Sequence, residues 1–159
     1  MAHAQSADPG IADGAKLTGS WTCSMEHEGD DLVVKMTGHT TYGRDGRYEA
    51  TGLGIVHFDD PGDQVRWVAT SSGWYAQTGV EVSYSDLEVF PRALPPLGFE
   101  DLPMSEVEDL YMAIVGGIVQ QPDGPQTSTI LELDSRNLMI KSDDSKHIWN
   151  CRRPAGGVR

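Results

Sequence analysis

The sequence predicts a mainly β protein: one antiparallel up-and-down barrel of about eight strands, closed or open, with a single helix inserted before the last strands. Three observations carry this expectation. Short β-runs separated by Gly, Asp and Pro turns fill residues 18–90 and resume after Pro125. Between them, one stretch changes to helical spacing. A Trp-x-Cys pair stands in the first run (Trp21, Cys23) and again in the last (Trp149, Cys151), which suits two terminal strands lying side by side.

Residues 1–16 are small and polar, with Pro9 and Gly10, and read as a flexible arm; 17–153 form the barrel domain and 154–159 a disordered tail. The first strand runs from about Gly19 to Glu28 and turns at Gly29-Asp30-Asp31. The second is Leu32 to Tyr42, followed by the hairpin signal Arg44-Asp45-Gly46-Arg47. The third is Tyr48 to Phe58, ended by Asp59-Asp60-Pro61-Gly62-Asp63. Gln64 to Ser71 comes next, then a short run at Gly73-Trp74-Tyr75-Ala76, then Val80 to Phe90. Pro91, Pro95, Pro96 and Gly98 make a loop. Ser105 and Glu108 have the spacing of a capping box. Val107, Leu110, Tyr111, Ile114, Val115, Ile118 and Val119 then share one face, so a helix is predicted over about Ser105 to Gln120, weakened at Gly116-Gly117. Thr127 to Leu133, Leu138 to Lys141 and His147 to Arg152 complete the sheet.

Burial selects the register of the first hairpin. Pairing Trp21, Cys23 and Met25 with the face of Leu32, Val34 and Met36 unites the larger apolar groups, whereas a slip by one residue does not. The third strand has two readings. A tight turn at Asp45-Gly46 puts Leu53 and Ile55 inside; a three-residue turn puts Tyr48, Val56 and Phe58 inside. Closure of the barrel would let Cys23 and Cys151 form a disulfide stapling the first strand to the last; the alternative is two buried free thiols.

The chain has 159 residues, enough for one domain with its own core. Its net charge of −12 repels phosphate backbones, so no nucleic-acid partner is expected. No apolar run reaches the length of a transmembrane segment. Ala2-His3-Ala4 before Gln5 reads as the end of a signal-peptidase site, so the expected location is periplasmic or secreted, with the signal removed and Met1 added. The alternative is that the first six residues are appended or floppy sequence. An even number of cysteines agrees with export.

Gly19-Ser20-Trp21 on the first strand, the meander of hairpins, the late helix and an Arg after the last strand resemble the lipocalins and the wider calycin superfamily. The resemblance covers Thr18 to Arg153. It is nearest to a small group of exported bacterial proteins with a similar Gly-x-Trp-x-Cys, Thr-Thr-Tyr-x-x-Asp-Gly-x-Tyr and terminal Cys-x-Arg. It implies a barrel whose first-strand Trp21 lies at the closed end, with Arg152 or Arg153 packed over its ring. A guanidinium over an indole is worth about 1 kcal/mol and keeps water from that end.

Candidates for chemistry are few. His27, His39, His57 and His147 lack metal-ligand spacing, and the Asp-rich turns match no calcium loop. No nucleophile elbow and no phosphate-binding glycine loop is present. No catalytic residue, metal or cofactor is therefore expected. What remains is an interior rich in Met and aromatics, which is either plain core or the wall of an apolar cavity. On the second reading Met25, Leu32, Val34, Met36, Trp67, Trp74 and Tyr84 line the cavity, and the protein is a non-enzymatic carrier of a small apolar or amphipathic molecule. The alternative is an envelope interaction module, an inhibitor or adaptor subunit, whose partner is a protein. In that case the N-terminal arm or the acidic loops would bind.

Overall fold

The computed structural model describes residues 10–58, 62–95, 97–98, 103–118 and 124–154, the side chains of 114–118 excepted. Eight antiparallel strands form a closed barrel in sequence order, with the eighth returning to the first. They are β1 (Gly19–Glu28), β2 (Leu32–Tyr42), β3 (Arg47–Phe58), β4 (Gln64–Thr78), β5 (Glu81–Ala93), β6 (Gln126–Leu133), β7 (Asn137–Ser142) and β8 (Ile148–Arg152). The helix α1 (Met104–Ile118) lies between β5 and β6.

The first hairpin takes the register that burial selects, with Met25 opposite Met36 and His27 opposite Val34. The second settles the open choice. Gly43 N–H donates to the Arg47 carbonyl across a three-residue turn whose Gly46 has φ +89°. Tyr48 therefore faces Tyr42, and Val56 faces Val34 on the inside.

Two expectations at β4 and β5 are corrected. The short run at Gly73–Ala76 is not a separate strand: β4 continues through it, with a register shift between Ser72 and Trp74. The Ser-Ser-Gly sequence that looks like a break is a bulge. Pro91 does not start a loop either, because β5 runs on to Ala93. Only Glu81–Tyr84 of β5 pair with β6, so the rest of β5 is an edge, where proline is tolerated.

At the helix, Val107 N–H donates to the Pro103 carbonyl. Ser105 thus lies inside the first turn and not at the predicted capping position before it. Val119 and Gln120 fall outside the described residues.

The interior divides in two. One cluster gathers Leu17, Trp21, Cys23, Tyr42, Val82, Tyr84, Ile130, Leu133, Leu138, Ile140 and Cys151. The other joins Val34, Val56, Val65 and Trp67, with Leu110 and Tyr111 of α1 packed against them. Trp67 is fully buried because Gly54 opposite it has no side chain; a methyl group there would overlap the indole. Ahead of β1, Leu133 N–H donates to the Gly10 carbonyl and Ala12 N–H to the Leu133 carbonyl. The segment from Gly10 is thereby tied to the end of β6, and Leu17 is buried beneath it.

Candidate functional site: the barrel cavity

The closed end of the barrel decides where a cavity can lie. Trp21 is completely buried and its indole N–H donates to the Leu17 carbonyl at 2.8 Å. Arg153, not Arg152, covers the ring, with its guanidinium carbon 4.0 Å from the ring centroid. Its two terminal nitrogens donate to the carbonyls of Thr18 (2.9 Å) and Lys16 (2.8 Å). Arg152 is exposed on the other face of β8. The same plug explains the glycine of Gly-x-Trp. Gly19 has φ +116°, and a side chain there would run into Arg153 Nη1.

Cys23 and Cys151 are joined as a disulfide across the β1–β8 seam. That seam pairs only Thr22, Cys23 and Ser24 with Arg152, Cys151 and Asn150, so the covalent link reinforces a short ladder.

Beyond the plug the barrel holds a cavity of about 510 Å³, within the usual range for small-molecule pockets. Its apolar wall includes Met25 and Met36, which face each other on β1 and β2, Ile140 and Trp149, which face each other on β7 and β8, and the disulfide. Leu87 and Val89 come from β5. They point inward because of the bulge: two residues, Asp86 and Leu87, stand against Gly73 alone, and Asp86 takes φ 51°.

The polar part of the wall is a tyrosine cluster. Tyr42 and Tyr84 share a hydroxyl–hydroxyl bond of 2.8 Å. Tyr48 lies with its ring 5.4 Å from Tyr42 and 5.0 Å from Tyr84, and Tyr75 meets Tyr42 edge-on at 4.9 Å. Tyr75 hydroxyl donates to the Gly43 carbonyl, which ties the cluster to the β2–β3 turn. Burial pushes the Tyr42 hydroxyl well above its ordinary range and raises those of Tyr48 and Tyr84 as well, so they remain neutral donors and acceptors.

The mouth is formed by the β7–β8 turn, where exposed Asp144 and Ser145 and half-buried His147 line the cavity. The His147 and His27 rings lie 5.0 Å apart. Burial, and then the neighbouring His27, hold the His147 imidazole below the ordinary histidine range and hence neutral at pH 7. The turn itself is fixed by Asp143, whose carboxylate accepts from the Thr127 (2.6 Å) and Thr129 (2.8 Å) hydroxyls. Those bonds lower its pKa.

Of the residues expected to line a cavity, Met25, Met36 and Tyr84 do so. Val34 and Trp67 are buried in the second cluster, under α1, and Leu32 packs at its edge. Trp74 lies outside the barrel, 47% exposed, with Arg47 stacked 5.7 Å from its ring. Tyr42, Leu87, Val89 and Ile140 line the cavity without having been singled out, and Trp149, the partner of Cys151 in the second Trp-x-Cys pair, lines it as well. Tyr42 could have been found by extending the strand alternation from Met36; Leu87 and Val89 depend on a bulge that the sequence does not announce. Among the described residues no group of three His, Cys, Asp or Glu could hold a metal ion. No described helix is long and apolar enough to cross a membrane. The chain matches no protein-family profile and no curated protein.

Proposed function

We propose that this protein is an exported, lipocalin-like carrier that holds one small apolar or amphipathic molecule inside its barrel and performs no chemistry on it. The observation that carries this reading is the cavity of about 510 Å³ between a plugged end and a mouth at the β7–β8 turn. A wall of two methionines, Trp149, Leu87, Val89 and Ile140 suits an apolar body, since Met adapts to irregular shapes and the aromatic offers a flat face. The tyrosine hydroxyls supply a few fixed polar contacts, as small-molecule sites do. The plug of Trp21 and Arg153 supports the likeness to lipocalins, and the disulfide supports an oxidising compartment.

The test is to fill the space. Ala50 and Ala69 line the cavity on β3 and β4. Titration of the full chain with decanol, followed by calorimetry, is expected to show one bound equivalent. Ala50→Phe should weaken that binding by about tenfold while far-ultraviolet circular dichroism is unchanged. Ala69→Leu serves if the larger ring disturbs the barrel. Absence of uptake by the unaltered protein, or uptake indifferent to both folded variants, would refute the carrier reading.

A further inference from the structure

The charge of the cavity is one-sided. Apart from the tyrosines, the ionisable groups on its wall are Asp144 and His147, both at the mouth; no Lys or Arg lines it among the described residues. The three lining tyrosines are uncharged and His147 is held neutral. The whole chain carries −12. A carboxylate or phosphate ligand would approach against that field, lose its hydration in the barrel and find no cationic partner to replace it.

A cation meets the opposite conditions. The field draws it in, Asp144 stands where it would arrive, and Trp149, two residues beyond His147, brings an aromatic ring to the same stretch of wall.

We propose that the molecule carried is an organic cation: an amine or quaternary ammonium head held at the mouth beside Asp144, with an apolar body lying among Met25, Met36 and Trp149. This rests on the carrier reading, which fixes where the ligand lies but not its charge.

Three probes of equal chain length separate the cases: decyltrimethylammonium, decanol and decanoate, each titrated into the full chain at low and at high salt. The cation is expected to bind about tenfold more tightly than decanol, with decanoate weakest. Raising the ionic strength should weaken the cation alone, because the attraction is screened. Asp144→Asn should weaken the cation by about threefold and leave decanol unchanged, a difference that a loss of folding would not produce. Decanol or decanoate binding as tightly as the cation would overturn the proposal, as would a cation affinity insensitive to both salt and Asp144→Asn. Uptake of none of the three would bring down the carrier reading itself. Decanol bound in the barrel with no preference for the cation would remove only the charge assignment.

Discussion

Two adjacent arginines near the end of the chain show how little separates a structural residue from a surface one. Arg152 and Arg153 are chemically identical and consecutive, and the alternation of β8, carried one residue past its end, sends them to opposite sides. The sequence narrows the lid over Trp21 to this pair and goes no further, because the end of a strand has no fixed parity until its register is known. In the fold, Arg153 stacks at 4.0 Å on the indole and donates to two carbonyls ahead of β1, so it clamps the start of the first strand to the end of the last. Truncation to Ala would remove the stacking and strand two carbonyls at the edge of the core. Arg153→Ala is expected to lower stability by about 2 kcal/mol, from charge-assisted hydrogen bonds and one cation–π contact. Arg152→Ala should change it by less than about 0.5 kcal/mol, as exposed substitutions do. Urea denaturation of the two variants measures both. Equal effects would assign the lid wrongly.

At the scale of elements, β1, β2 and β3 were legible because each alternates cleanly and the turns between them are short and rich in Gly and Asp. For Met25, Val34 and Met36 one face unites the apolar groups, and the first hairpin takes that register; the face of β3 stays open between Leu53 with Ile55 and Tyr48 with Val56 and Phe58 until the three-residue turn fixes it. Legibility fails where the alternation is interrupted. At Gly73 and Asp86 a bulge changes the phase of β5, bringing Leu87 and Val89 inward, while Trp74 stays outside. A second irregularity between Ile130 and Glu132 leaves Leu131 outside and turns Leu133 in. Bulges depend on how a strand must bend to meet its neighbours, and that information is non-local. The disulfide was anticipated for a different reason: Trp-x-Cys on both terminal strands suits adjacent strands, and their pairing decides against the alternative of two buried free thiols. It closes a separation of 128 residues, for which chain entropy allows roughly 4–5 kcal/mol. Cys23→Ala with Cys151→Ala should therefore lose about 2–5 kcal/mol in guanidinium denaturation. A loss below about 1 kcal/mol would mean that the three-residue β1–β8 ladder holds without help.

As a whole molecule the barrel is closed but unevenly sewn. β2, β3 and β4 pair along eleven positions at each of their two seams, whereas β5 and β6 share four pairs and β1 and β8 three. The long strands β1 to β5 form a continuous curved sheet, and the short strands β6 to β8 close it around the plugged end. The helix packs on the other cluster, at the level of Val34, Val56, Val65 and Trp67. The cavity's mouth is made by the turn between two of the short strands, and one of them, β8, also forms the three-pair seam with β1. Local opening is easiest where few buried contacts and short ladders hold an element. Amide hydrogen exchange of the intact protein should accordingly divide it: β2, β3 and β4 slowest, β8 and the β7–β8 turn fastest among the strands and turns of the barrel. Reduction of the Cys23–Cys151 bond should accelerate exchange in β8 and at Thr22–Ser24 of β1 while the β2–β3–β4 amides keep their order. Filling the cavity with a bound molecule should slow the β7–β8 turn first, because Ser145 and His147 line its mouth. Uniform protection across all eight strands, before and after reduction, would mean that the barrel opens only as one cooperative unit and that a ligand enters without parting this seam.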